Sequence, residues 1–307
     1  MFGIGIICYK ILNVGGTNNI GDWYQTAASM YMWWKYFNYK TSFSDFLKEC
    51  IETQTINSYP IFWLYRDHMS ECDPRGHKIV TICNGWWLGQ HTTGMFDFPL
   101  PSFIIPIYTS FHLAFNQLLT PTNIEHFKLH QPIGCRDAST HESMTRAGID
   151  SFISGCMTMA VNLRDPQLGF HKKLNYTDNH VFIDVPINFT PGDKREIAYI
   201  TQEGHYHIDP KWIIYSVQHL YNLLDTYCVT TGRLHIWLPL ICNDTNVVLL
   251  NRYCKPYQIT DIDHVTPNND RFRGLFSLSI EERAVMKQQL ITDCHLRINT
   301  IFSEKNQ

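Results

Sequence analysis

The feature that most constrains this chain is an alternation of short apolar runs with stretches of helical periodicity. Residues 3–9, 78–83, 103–109, 133–135, 151–153, 180–185, 197–201, 227–230 and 246–250 read as strands. Helical patterns occupy residues 23–37, 111–119, 139–148 and 210–225, another opens after residues 231–235, and a last one begins at Ser279. Ser139 is expected to cap its helix and Gly148 to stop it, and Ser279 with Glu282 has the spacing of a capping box. Strands alternating with helices predict an α/β fold built on largely parallel sheets. Residues 164–176 turn polar, with Pro166, Gly169 and a Lys172-Lys173 pair, and mark a boundary. The 307 residues suffice for two domains. The expected organisation is two Rossmann-like lobes, residues 1–168 and 169–275, and a helical segment, residues 276–307, that packs back on the first lobe.

Composition narrows the function classes. Hydrophobic residues make up 44% and charged residues 17%, enough for a substantial core. A formal net charge of −3 argues against a nucleic-acid-binding protein that relies on a broad basic face. An anionic ligand would need cations converging locally. Ten cysteines without a CxxC pair give little support to a structural zinc site or a disulfide scaffold, and buried free thiols are the simpler reading. The start of the chain is apolar but lacks a basic leader, and no apolar run reaches the roughly 18 residues a membrane span requires. A cytoplasmic location is therefore expected, with the sequons at Asn175, Asn188 and Asn243 as chance matches.

In open α/β sheets, ligands bind outside the carboxyl ends of the strands. The loop 13–22 (NVGGTNNIGD), Asn84-Gly85, Arg136, Gly155 and residues 231–235 all follow expected strands, so two facing lobes would gather them into one cleft. The sharpest of these is Thr231-Gly232-Arg233-Leu234-His235. The glycine permits a tight turn, the helix start offers unpaired amides to an anion, Arg233 supplies a planar fork, and His235 can carry a proton near neutral pH. The bland reading of the same five residues is a helix-capping turn with a surface arginine.

Taken together, these motifs resemble the polysaccharide pyruvyl transferase family over most of the chain. The resemblance rests on Asn18-Asn19-Ile20-Gly21-Asp22, Asn84-Gly85-Trp86-Trp87, the segment 101–112 ending in Ser110-Phe111-His112, Pro132-Ile133-Gly134-Cys135-Arg136-Asp137 with Thr140 and Gly148-Ile149, Ser154-Gly155-Cys156-Met157-Thr158, and Arg233-Leu234-His235. Asp270-Arg271-Phe272 with Leu275 looks like the family's basic segment before its last helix. Departures are Met157, where leucine is commoner, and a short second lobe. The resemblance implies a GT-B-type fold and transfer of a pyruvyl group from phosphoenolpyruvate, as donor substrate without a further cofactor, to sugar hydroxyls, forming a ketal. It places Arg136, Arg233 and His235 in the catalytic donor site. Arg136 and Arg233 would grip the donor's carboxylate and phosphate, and a protonated His235 would deliver a proton to the methylene carbon. Asn19, Gly21, Asp22, Asn84, Trp86, His112, Gly155, Thr231, Leu234 and Arg271 complete the expected substrate-binding set.

Several of these have structural alternatives. Asp22 either accepts a proton from the sugar or caps the first helix; capping is the simpler role. Trp86 and Trp87 suit sugar stacking, with one of them expected in the core. His112 lines the cleft or is a hydrogen-bonded core histidine. His205 and His207 with Asp209 have the look of a metal cluster, but a solvated loop is favoured; Gly15-Gly16 matches neither a P-loop nor GxGxxG. Two rival functions remain, a nucleotide-sugar glycosyltransferase on the same fold and a non-catalytic glycan-binding descendant.

Overall fold

The computed structural model describes residues 1–9, 17–87, 98–113, 118–185, 197–200, 203–207, 209–249 and 279–303. Arg271 and its neighbours Asp270, Phe272 and Leu275, the pair Gly15-Gly16, and Asn188 lie outside the described residues, as do the side chains of His205 and His207.

Two parallel sheets organise the chain. The first holds β1 (Phe2–Cys8), β3 (Thr55–Ile56), β4 (Tyr59–Tyr65), β5 (Lys78–Trp87), β6 (Ile104–Leu113), β7 (Ile133–Cys135) and β8 (Ser151–Ile153) in the order β3-β4-β1-β5-β6-β7-β8. All neighbours are parallel except β3 with β4. The second holds β9 (His180–Ile183), β10 (Ile197–Ile200), β12 (Cys228–Thr231) and β13 (Val247–Leu249), all parallel, in the order β10-β9-β12-β13. A short ribbon pairs β2 (Thr17–Asn19) with β11 (Glu203–His207). β1 is buried almost throughout, as a strand covered on both faces must be.

The helix α1 (Ile20–Tyr36) joins these layers. Asn19 caps it by accepting from the Gly21 amide at 3.0 Å, so the cap is Asn19 and not Asp22. Fourteen of its residues are buried, which makes it a helix without a solvent face. One side lies on β1 and β5; elsewhere it meets α5 (Lys211–Asn222) and α6 (Leu234–Ile241), which pack around the second sheet. Thr26 Oγ1 donates to the Ile7 carbonyl at 2.8 Å and Asn84 Nδ2 to the Gln25 carbonyl at 3.0 Å, pinning the helix to the first sheet. One continuous core therefore contains Ile4, Ile6 and Ile82 from the first sheet and Val181, Ile183 and Val229 from the second. The opposite face of the first sheet is covered by α3 (Pro121–Leu129) and α4 (Ala138–Arg146), through Phe127 and Met144.

The polar stretch 164–176 is anchored. Leu168 is buried, Lys35 pairs with Asp165 at 3.0 Å, and Arg164 reaches Asp225 at 2.8 Å. After it comes the second sheet, and then α7 (Ile280–Ser303). Ser279 and Glu282 form the expected reciprocal cap, and α7 returns to the first sheet, where it buries Leu290, Cys294 and Ile298. Arg297 Nη1 donates to the Pro132 carbonyl at 2.6 Å, and Tyr36 Oη to Asn299 at 2.9 Å.

Three local expectations are corrected, and two elements are added. β5 continues through Asn84 to Trp87, with Gly85 at φ 93° beside a register shift that leaves the extra residue on β6 and keeps the two strands paired. Phe111 to Leu113 extend β6 and are not helical, with Ser110 at φ 57° absorbing the irregularity. Asp137, not Ser139, caps α4, accepting from the Thr140 amide at 3.0 Å; Gly148 at φ 72° follows its end. The helix α2 (Phe43–Thr53) and strand β4 were not anticipated; Pro60 in the apolar stretch YPIFWLY disguises a strand whose Pro60 faces the antiparallel edge. Among the described residues, no helix is long and apolar enough to cross a membrane.

Burial pushes His219 down to about 4, and burial with the neighbouring His130 does the same to His126. Both are neutral when folded near pH 5, whereas an unfolded histidine takes a proton below about pH 6.5. The unfolded chain then binds more protons, so stability is complete above about pH 6.5 and is lost as pH falls towards 4. For His219, 8% exposed, the slope is about 1 kcal/mol per pH unit. Urea unfolding between pH 7 and 4.5 should show this loss, with a shallower slope in His219→Gln; an unchanged slope in the variant would reject the assignment.

Candidate active site

The carboxyl edge of the first sheet presents one residue after another from adjacent strands. Register pairs Cys8 with Tyr65, Trp86 with His112, Phe111 with Cys135, and Cys135 with Ile153. The chain therefore leaves or ends β4, β1, β5, β6, β7 and β8 at Arg66, Tyr9, Trp86, His112, Arg136 and Ser154. Backbone bonds extend the pairing past the strand ends, with Arg66 N to Cys8 O at 3.0 Å, Arg136 N to Phe111 O at 2.8 Å, and Ser154 N to Cys135 O at 2.8 Å.

The centre of this edge is an ionic cluster. His112 and Arg136 are 1% and 4% exposed. His112 Nδ1 lies 2.5 Å from Asp137 Oδ2, an ion pair when the imidazole is protonated, with Thr140 Oγ1 at 3.2 Å from the same nitrogen. Arg136 Nε is 3.7 Å from the same carboxylate oxygen. Asp137 Oδ1 accepts from Ser139 and Thr140 hydroxyls at 2.9 and 2.8 Å. Burial alone would raise the carboxyl's pKa, but contact with His112 and the charges of His112 and Arg136 hold it well below the usual carboxylate range.

A second group flanks it. Arg66 grips Asp67 through Nε and Nη2 at 2.6 and 2.8 Å, donates from Nη1 to the Trp86 carbonyl at 2.5 Å, and lies 5.0 Å over the Tyr9 ring. Burial disfavours this guanidinium's charge, and Asp67 more than restores it. Tyr9 feels the charges of Arg66, Asp22 and Arg136, which ties the start of α1 to the same neighbourhood. Asp22 is half-buried, with Asn19 Nδ2 and Gln25 Nε2 each 3.4 Å from its Oδ1.

The second sheet contributes from its own carboxyl edge. Thr231 pairs with Ile183, so the turn after β12 stands beside Asp184. Arg233 Nε donates to Asp184 Oδ2 at 2.7 Å, and the Arg233 amide to Thr231 Oγ1 at 3.0 Å. Arg233 occupies the N-cap of α6 without a side-chain capping bond, and His235 lies in the first turn. The His235 residue keeps some exposed surface, but its Nε2 is buried and, among the described residues, has no hydrogen-bond partner. Burial, then the positive charges of Arg136 and His112, lower its pKa to about 3. The imidazole of the second sheet thus sits within the electrostatic reach of the first sheet's cluster. Near neutral pH this favours the neutral imidazole with a single ring proton, whereas the sequence reading expects the doubly protonated form.

The other expected residues divide by position. Trp86 is 38% exposed and available for stacking, while Trp87 is core. Asn84 and Thr231 are buried in backbone-directed bonds, Gly21 lies at the buried start of α1, and Leu234 packs against the cluster around Trp237. At Gly155 an added Cβ would meet Met286 Sδ at 2.9 Å, which places this glycine against α7. Tyr9, Arg66, Asp137 and Asp184 were missed. Asp137 had a signal, standing beside Arg136 three residues before Thr140; the others follow strands and nothing local distinguishes them. Among the described residues, no group of three metal-ligating side chains is assembled.

No protein-family model matches the chain, and no curated protein matches it. Among solved structures, a functionally uncharacterised protein from Klebsiella pneumoniae subsp. pneumoniae NTUH-K2044 is similar, with a TM-score of 0.43 and 17% identity, over 82% of this chain and 85% of that one.

Asp137 both caps α4 and neutralises a buried cationic pair. Asp137→Ala should therefore lower unfolding stability by about 3 kcal/mol in urea titrations at pH 7, within the range for breaking a buried ion pair. A loss below about 1 kcal/mol, the scale of a cap alone, would show that the pairing with His112 contributes nothing.

Proposed function

We propose that this protein is a cytoplasmic pyruvyltransferase with a two-lobed, GT-B-type organisation, which moves the pyruvyl group of phosphoenolpyruvate onto sugar hydroxyls. The observation that carries this reading is the approach of Arg136 and His112, on the edge of the first sheet, to His235 at the start of α6. Arg136 and His112 act together on a buried imidazole nitrogen in a chain whose net charge is −3. Such local convergence fits a small, multiply anionic donor, and low polarity strengthens each contact. The helix start at Arg233 adds backbone donors of the kind that bind phosphate. The motif order that resembles the polysaccharide pyruvyl transferases supplies the chemical class. Trp86, exposed beside His112, offers a face for the acceptor ring.

The reaction needs the donor's carboxylate and phosphate held, its methylene carbon protonated, and a sugar hydroxyl brought to C2. Arg136 and the turn at Arg233 serve the first requirement. His235 and its surroundings serve proton transfer, a contribution of about 10²–10⁴ in rate.

Phosphoenolpyruvate should raise the thermal midpoint of the protein, whereas UDP- and GDP-sugars should not; the opposite pattern would assign the fold to a nucleotide-sugar glycosyltransferase. Phosphate release with a panel of pyranosides should be detectable in the wild type and fall by about 10²-fold or more in His235→Ala, with an unchanged circular dichroism spectrum. Arg136→Ala should weaken phosphoenolpyruvate binding roughly tenfold or more by calorimetry, the loss expected for a charge-assisted contact. Wild-type affinity in that variant would take Arg136 out of the site.

A further inference from the structure

We propose that His112, held against Asp137, gives the proton to the donor's methylene carbon, and that His235 takes the proton of the attacking sugar hydroxyl. The assignment rests on the pyruvyl-transfer reading and reverses the role the sequence suggests for His235.

The argument is one of partners. A carboxylate beside an imidazole favours its charged form, and a cation beside it disfavours that form. His112 has Asp137 Oδ2 2.5 Å from Nδ1, in a pair that is almost wholly buried. That carboxylate stays ionised, held by His112, Arg136, the Thr140 amide and two hydroxyls. His235 has the opposite surroundings. The groups that act on it from the end of β7 and from β6 are Arg136 and His112, and each disfavours its charged form. On its own side, the neighbouring Arg233 is turned onto Asp184, so that carboxylate is already engaged. Two imidazoles within electrostatic reach do not both take up a second ring proton cheaply, and the one with the carboxylate keeps it. Titratable pairs pushed apart in this way mark the acid and the base of a site.

Asp137 also fixes which nitrogen works. The Nε2 atoms of His112 and His235 are both buried and, among the described residues, make no hydrogen bond; with Nδ1 of His112 facing the carboxylate, the proton it releases is the one on Nε2, and Nε2 of His235 is the acceptor. The steps then balance. The hydroxyl proton passes to His235 as its oxygen bonds to C2, and the C2–C3 double-bond pair takes the proton from His112, giving a methyl group. The C2–O bond to phosphate breaks, the electron pair leaves with phosphate, and His235 returns its proton to that phosphate. A neighbouring hydroxyl closes the ketal at C2 and its proton restores His112.

The test reads charge state first. In the free, intact protein labelled with ¹⁵N-histidine, at pH 7, His112 should show both ring nitrogens protonated and His235 one bare nitrogen, with resonances assigned by His235→Gln and His112→Gln. If His112→Gln fails to fold, His235→Gln alone identifies the bare-nitrogen signal. A neutral His112 or a charged His235 overturns the assignment. With phosphoenolpyruvate and an accepted pyranoside, each variant should lose about 10²–10⁴ in kcat. His235→Gln should remove the acidic limb of the kcat/KM profile and His112→Gln the alkaline limb; exchanged limbs overturn the proposal. Absence of phosphoenolpyruvate binding by calorimetry would instead sink the transfer reading, independently of the histidine charge pattern.

Discussion

The structure depends on a helix that has no solvent face. α1 lies between the first sheet and the helices of the second, and most of its side chains are buried. Such a helix cannot rest on a polar surface, so its large aromatic residues require partners on every side. Trp23, Tyr24, Trp33 and Trp34 find these partners in elements from both halves of the chain, and the result is one core where composition alone would allow two. The bond from Thr26 to the Ile7 carbonyl and that from Asn84 to the Gln25 carbonyl fix the helix along its axis. Its N-terminus is thereby brought to the carboxyl edge of β1, where Asp22 acts on Tyr9.

That fixed helix decides what the two sheet edges can do together. Parallel strands all point the same way, so each neighbouring strand delivers its next residue to the same edge. In the first sheet these residues include Arg66, Tyr9, Trp86, His112 and Arg136, and in the second Asp184 and the turn leading to His235. The charges are not spread evenly across the join. The carboxylates at 67, 137 and 184 each neutralise a partner close by, through Arg66, His112 and Arg233. His235 is left facing cations.

Reading the sequence placed most strands correctly and misjudged where several end. β5 and β6 run on past Cys83 and Thr109 because Gly85 and Ser110 take positive φ and keep the ladder going through a bulge. Local pattern stops at such a residue, since the alternation it follows is shifted by one. β4 was hidden by Pro60, and α2 by its position between two stretches assigned no element. Asn19 displaced Asp22 as a cap for a similar reason, since either residue type serves and only backbone geometry chooses. In the site, Arg136, His112 and His235 were legible because each stands next to a glycine-bearing or strand-ending motif. Arg66 and Tyr9 follow ordinary strands and carry no mark of their own.

By itself the sequence determined that this chain is α/β, that its strands are short and largely parallel, and that several polar residues stand at their carboxyl ends. Those properties are local, set by apolar periodicity, glycine and capping residues within a few positions of one another. Only the tertiary structure decided which imidazole would sit beside a carboxylate and which beside a guanidinium. Protonation follows the field of groups far apart in the chain, and Asp137, Arg136 and His235 share that field only once α1 has drawn the two sheet edges together.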